Sequence, residues 1–151
     1  MALWDQLKER AAGMSANAKT QVGKFKNKDF ANASMAMCAL IAAADGTISA
    51  DERRKTAGFI SSNDVLSIFP ASELLEKFNH FSGKLEADYD FGKVEAIQAL
   101  SKLKSKPDGA RAVIQVGIII GGADGNFDED EKRAVREACN AVGIAPSEFD
   151  L

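Results

Sequence analysis

The chain has 151 residues, 46% hydrophobic and 27% charged, with a net charge of −3. This is an ordinary globular balance for one domain, long enough to bury roughly 70% of the surface it exposes when unfolded. An acidic body argues against nucleic-acid binding, and the longest apolar run, near 113–123, falls short of the roughly 20 residues a membrane span needs.

The charge is uneven. Residues 1–28 hold six Lys or Arg and two acids, giving +4, while the rest hold 13 and 20, giving −7. The N-terminus, MALWDQLKER, carries acids early and lacks the apolar centre of a signal peptide. Cys38 and Cys139 have no CxxC partner, so neither a disulfide framework nor a thiolate zinc site is expected. Reduced, buried thiols in a cytoplasm are the expectation.

Residues 2–26 predict an amphipathic helix. Leu3, Leu7, Ala11, Met14, Ala18, Val22 and Phe25 form one stripe, with lysines on the opposite face. Such a basic helix packs on the core or touches a membrane surface or a partner. Lys24, Lys26 and Lys28 then form a basic turn. Residues 29–44 are almost apolar all round and predict a central buried helix. A helix over 50–62 starts at Ser49, and a short connection at 65–69 closes at Pro70. The next helix, 72–86, takes Ser72 as its cap and presents Leu74, Phe78, Phe81 and Leu85 on one face. The helix over 90–105 starts at Asp88 or Asp90, with Phe91, Val94, Ile97, Leu100 and Leu103 as its apolar side. Pro107 opens a helix over 108–123. Asp128 caps a last long helix, 129–142, which Gly143 stops before a final turn from Pro146. His80 is the one histidine and has no second His or Cys in the sequence to work with, so no catalytic role is expected.

One eight-residue stretch occurs twice, as DGTISADE from Asp45 and DGNFDEDE from Asp124. The offset of 79 also pairs Gly46 with Gly125, Glu52 with Glu131 and Arg54 with Arg133. The repeat decides an ambiguity. VIQVGIII, before the second loop, is β-branched enough to be a strand. Its counterpart before the first loop is MAMCALIAAA, an alanine-rich helix former, so both are predicted helical. The fold class is therefore all-α: a compact bundle of about seven to eight helices in a single domain, 1–151. It comprises a basic N-terminal segment (1–28), a first helix–acidic loop–helix unit (29–63), a middle pair of helices and a second unit (108–143).

Each loop matches the second half of a calcium-binding EF-hand loop. With Asp45 at position 5, Gly46 falls at 6 and Glu52 at 12; Asp124, Gly125 and Glu131 do the same. Positions 1 and 3 are Ile41 and Ala43, or Ile120 and Gly122, which are not ligands, so the full motif is rejected. Two readings remain. In one, Ser49-x-x-Glu52 and Asp128-x-x-Glu131 are helix capping boxes and the glycines are C-terminal stops, giving corners with no ligand. In the other, Asp45 and Asp124, set against the negative end of a helix dipole, and five acids in 124–131 require a countercharge. That countercharge is a hard divalent cation, calcium or magnesium, or the neighbouring Arg and Lys. Neither half-loop suffices alone, so Asp45, Glu52, Asp124 and Glu131 are predicted to share one site. Asp128 is an added ligand, and Glu95 is a weaker candidate from the middle helices.

VGKFKNKDF, IAAADGTISADERRK, YDFGKVE and VGIIIGGADGNFDEDEKRAVRE together resemble the bacterial tellurite resistance protein TerB family, in order and over essentially the whole chain. The resemblance implies a compact all-helical domain without an established enzymatic reaction, serving tellurite resistance and related stress responses. It further implies metal binding by acidic residues of the repeated loops, which by motif are Asp45, Glu52, Asp124 and Glu131. Association at the inner face of the cytoplasmic membrane with TerC, an integral membrane protein, and with calcium-binding TerD-type proteins is also implied. The expectation is a non-enzymatic, cation-responsive scaffold of a membrane-associated complex. The alternative is a metal-free helical interaction module.

Overall fold

The computed structural model describes residues 28–62, 66–123 and 127–151. The predicted helix at 2–26, the loop residues Asp124 and Gly125, and Val65 lie outside the described residues. Within them the protein is all-α, with no strand. Six α-helices run in order: α1 Lys28–Ala42, α2 Ala50–Ser62, α3 Ala71–Ala87, α4 Tyr89–Ser101, α5 Pro107–Gly121 and α6 Glu129–Val142. A short 3-10 turn, Pro146–Phe149, closes the chain. The expected count was about seven to eight, and its first helix falls outside the described residues.

Helix α1 is the axis of the bundle and packs against all five other helices. It is buried at every position from Phe30 to Ile41 except Asn32, as its nearly uniform apolarity requires. Helix α5 is its counterpart. Val113, Ile114, Val116, Ile118 and Ile120 are all buried there, so the β-branched run is a core helix. Tertiary burial outweighs the modest helix propensity of those residues.

Two local expectations change. The α3 N-cap is Pro70, whose side chain caps nothing, and Ser72 sits inside the first turn. Pro70 carries extended ψ, and its carbonyl accepts from the Glu73 and Leu74 amides, which moves the cap two residues and the helix start one residue earlier. The predicted apolar side of helix α4 is buried only in its C-terminal part. Phe91 and Val94 are 77% and 55% exposed, while Gly92, Ala96 and Leu100 are buried. The cause is close approach to α3: a Cβ on Gly92 would lie 2.6 Å from the Leu85 backbone nitrogen. Small residues seat the helix there and leave Phe91 and Val94 outside, while Leu100 and Leu103 of the predicted side stay in the core and Ile97 packs against it. Asp88 makes the sharp corner between α3 and α4, its Oδ1 accepting the Phe91 amide at 3.2 Å.

Candidate functional site

The repeat-equivalent helices α1 and α5 pack on each other, and glycine sets their separation. A Cβ on Gly117 would lie 2.5 Å from Met37 Cγ, and one on Gly121 would lie 2.8 Å from Ile41 Cγ2. Each glycine admits a side chain of α1 where any larger residue would collide. The C-terminal ends of both helices therefore emerge side by side, and the loops that follow them begin together.

A cleft of about 280 Å³ opens between these ends and the first turns of α2 and α6. Asp45 and Glu52 line it from the first unit, and Asp128, Asp130 and Glu131 from the second. Ile41, Phe59 and Ile120 are among its apolar walls. Four of the six predicted site residues thus border one space. Asp124, the fifth, lies outside the described residues.

The loop chemistry is more local than the sequence suggested. Helix α1 ends at Ala42, so Asp45 stands beyond its last turn. Asp45 Oδ1 accepts from the Thr47 amide and from Thr47 Oγ1, both at 3.1 Å. That Asx-type turn gives the Asp45 carboxylate local hydrogen-bond donors. Gly46 takes φ 94, a left-handed conformation that L side chains rarely adopt. Its amide reaches the Ala43 carbonyl at 2.9 Å. Ser49 Oγ accepts the Glu52 amide at 3.1 Å. In the second unit the capping box is reciprocal: Asp128 Oδ1 accepts the Glu131 amide at 2.8 Å, and Glu131 Oε1 accepts the Asp128 amide at 3.2 Å.

The bases that follow each loop are directed to other acids. Arg54 pairs with Asp51 at 3.0 Å, and its repeat equivalent Arg133 pairs with Asp130 at 2.6 Å. Arg53 reaches Glu86 at 2.8 Å, and Lys132 reaches Glu129 at 3.5 Å. The Arg54–Asp51 and Arg133–Asp130 pairs are exposed and contribute about 0–1 kcal/mol each. Their relevance is placement: among the described residues, no ion pair joins these bases to Asp45, Glu52 or Asp128. Lys55 is the basic side chain among the described residues that line the cleft. It lies three positions after Glu52 on the same helix face, a spacing from which the sequence could have nominated it.

An all-oxygen carboxylate set suits a hard cation such as calcium or magnesium. Its convergence is incomplete, because no three Asp, Glu, His or Cys groups among the described residues gather closely enough to hold a metal ion. The donors fit in kind and border one cleft.

Glu95 lies elsewhere. Its Oε1 is 2.7 Å from His80 Nε2. Both border a separate groove of about 500 Å³ between α3 and α4, with Glu73, Glu76, Lys77 and Lys102. The lone histidine thus has a carboxylate partner that sequence spacing could not reveal, since the two sit on different helices. Cys38 and Cys139 are buried free thiols. Burial pushes each up to about 12, far from the thiolate form that reacts.

The class these features define is an all-α domain built on two helix–acidic loop–helix units that both contribute carboxylates to one cleft. The chain belongs to the tellurite resistance protein TerB family, whose description matches residues 31–151. A relative from Alcaligenes sp., named tellurium resistance protein TerB, is 33% identical over 118 residues, covering 78% of this chain and 97% of the relative. No solved structure matches.

Proposed function

We propose that the protein is a non-enzymatic scaffold that binds a divalent cation, calcium or magnesium, between its two acidic loops. One observation carries this reading: carboxylates of both repeats border a single cleft, and among the described residues no ion pair joins Arg53, Arg54, Lys132 or Arg133 to Asp45, Glu52 or Asp128. Asp45, Glu52, Asp124 and Glu131 would supply oxygens, with Asp128 adding one. The cation would neutralise the carboxylates and tie the two units together, fixing the surface offered to partners. Family membership favours a part in tellurite resistance. The partners we propose are a TerC-like integral membrane protein and TerD-type calcium-binding proteins at the cytoplasmic face of the membrane. No described helix is long and apolar enough to cross a membrane, which suits peripheral contact through such a partner. The protonated thiols favour a non-enzymatic role, since nucleophilic or redox work on a tellurium oxyanion calls for thiolate.

Calorimetric titration with Ca²⁺, Mg²⁺, Mn²⁺ and Zn²⁺ tests the site. Asp45→Asn combined with Asp124→Asn is expected to abolish binding, and unchanged binding would refute a shared site. The reciprocal Asp128–Glu131 box and the Asp45–Thr47 turn favour a second reading, a metal-free interaction module. Partner capture that is equal with and without chelator supports that module.

A further inference from the structure

We infer that α2 is a latch that opens on its own: it comes off the bundle and unfolds while the other five helices stay packed, and an arginine clamp to α3 sets how often it does so. No part of this depends on a bound cation. Little apolar surface holds α2 in place. Of its 13 residues only Ile60 is buried, with Ala57 and Phe59 partly buried against the core. Its repeat equivalent α6 buries Val135, Ala138, Cys139 and Val142. Burial of apolar surface is the main force that docks a helix, and elements with little of it open at the lowest cost. The helix is also weak in itself. Gly58 stands in its interior, and a Cβ there would meet nothing within 4 Å, so no close approach requires the glycine. Ser61 and Ser62 turn their hydroxyls back onto the Ala57 and Gly58 carbonyls at 2.8 and 2.9 Å, a bond that slightly destabilises a helix. A free helix of this length is marginal in water, so α2 does not survive as a helix off the bundle.

The anchor that α2 does have is polar. Arg53 crosses to α3 and donates three times: from Nε to Asn79 Oδ1 at 3.3 Å, from Nη2 to the Asn79 carbonyl at 3.2 Å, and from Nη1 to Glu86 Oε2 at 2.8 Å. Gly83 lies between those partners, and a Cβ there would sit 4.0 Å from Nη2. Asn79, Gly83 and Glu86 thus form a seat on α3 for the guanidinium, whose rigid fork suits several acceptors at once. The second unit has no such clamp at the equivalent position: Lys132, 79 residues on, pairs with Glu129 within its own helix. One unit is therefore docked by its core and the other largely by one side chain. The cleft depends on the weaker of the two. Glu52, Lys55, Thr56 and Phe59 are its α2 wall, facing Ile41 and Ile120, so opening of α2 removes that wall and gates whatever enters there.

Native-state amide hydrogen exchange on the full chain tests this, with Arg53→Met, Gly58→Ala and Lys132→Met beside wild type. In wild type the α2 amides are expected to exchange faster than those of α1, α5 and α6, with a weak dependence on added urea, since opening exposes little surface. Arg53→Met should raise α2 exchange roughly tenfold and leave α1 and α5 unchanged. Added salt should do the same in wild type, more weakly, and not in Arg53→Met. Gly58→Ala should slow α2 exchange roughly fivefold, because alanine favours the helix that opening destroys. Lys132→Met should leave α6 exchange near wild type. Exchange of α2 in step with α1 would overturn the latch, because α2 would then open only when the whole bundle unfolds. An Arg53→Met effect spread equally over all helices, or absent, would overturn the clamp, as would an equal loosening of α6 by Lys132→Met. No response to Gly58→Ala would show that α2 does not unfold when it opens.

Discussion

The two helix–loop–helix units share their frame and differ in the charges they place around it. Asp51–Arg54 and Asp130–Arg133 are the same pair at equivalent positions. The caps differ: a neutral Ser49 starts α2, whereas a charged Asp128 in a reciprocal box starts α6. The packing surfaces differ too. Helix α5 brings Gly117 and Gly121, while α1 brings Met37 and Ile41 to fill the space above them. Near-duplicate sequences have thus become complementary rather than identical. One half supplies hollows, the other knobs, and both border one cleft because the helices beneath it interlock.

The largest expected effect attacks that interlock. Gly→Ala in a helix interior ordinarily gains about 1 kcal/mol. At Gly117 the added Cβ would meet Met37 Cγ at 2.5 Å, so Gly117→Val should lower the unfolding free energy by about 1–3 kcal/mol. Urea denaturation reads this directly. Met37→Ala in the same chain should recover part of the loss, and no recovery would place the strain elsewhere. The variant should also weaken Ca²⁺ binding by separating the loops.

The next effect separates capping from ligation. Asp128→Ala removes the α6 cap and should cost about 1 kcal/mol, as should Ser49→Ala for α2. Asp128→Asn keeps a capping oxygen, so its stability should fall within a few tenths of wild type. If Asp128 also serves the cation, the Asn variant should still bind Ca²⁺ more weakly, as seen by calorimetry. Equal affinity would make Asp128 a cap alone and leave the two units more alike than their charges suggest.

The element pattern was legible in the sequence because each boundary has a local chemical cause. Asp128 and Gly143 bracket α6 as the capping rules require, and Pro107 opens α5. The VIQVGIII helix was legible only through the repeat. The outward turn of Phe91 and Val94 was not, because it follows from Gly92 meeting the Leu85 backbone, a contact between two helices that periodicity within one cannot express. The same limit applies at the cleft. Spacing predicted Asp45, Glu52, Asp124 and Glu131 as neighbours, with Asp128 added, and of these the four within the described residues line one cleft. It could not assign Arg53 to Glu86 or Glu95 to His80, since those pairs are fixed by how α2, α3 and α4 lie across one another. Nor did it show the Asx-type turn at Asp45, whose Thr47 donors lie only two residues away.

The smallest expected effect concerns a tie that only the second unit makes. Arg111, near the start of α5, donates from Nε to Glu148 Oε2 at 3.0 Å in the closing turn; the position 79 residues earlier is Asn32, which opens on the groove between α3 and α4. The Arg111 hydrogen bond holds the Glu148 carboxyl below the usual carboxylate range. A depressed folded-state value contributes stability above the unfolded carboxyl's value, near 4.3, and that contribution is lost as the pH falls through the folded value. Glu148→Gln should therefore lower the melting temperature slightly at pH 7, and the gap to wild type should close as the pH drops toward 3. Both groups are solvent-exposed, so added salt should shrink the same gap. A gap that is constant with pH and salt would mean that the turn is held by Phe149 packing into the core rather than by charge.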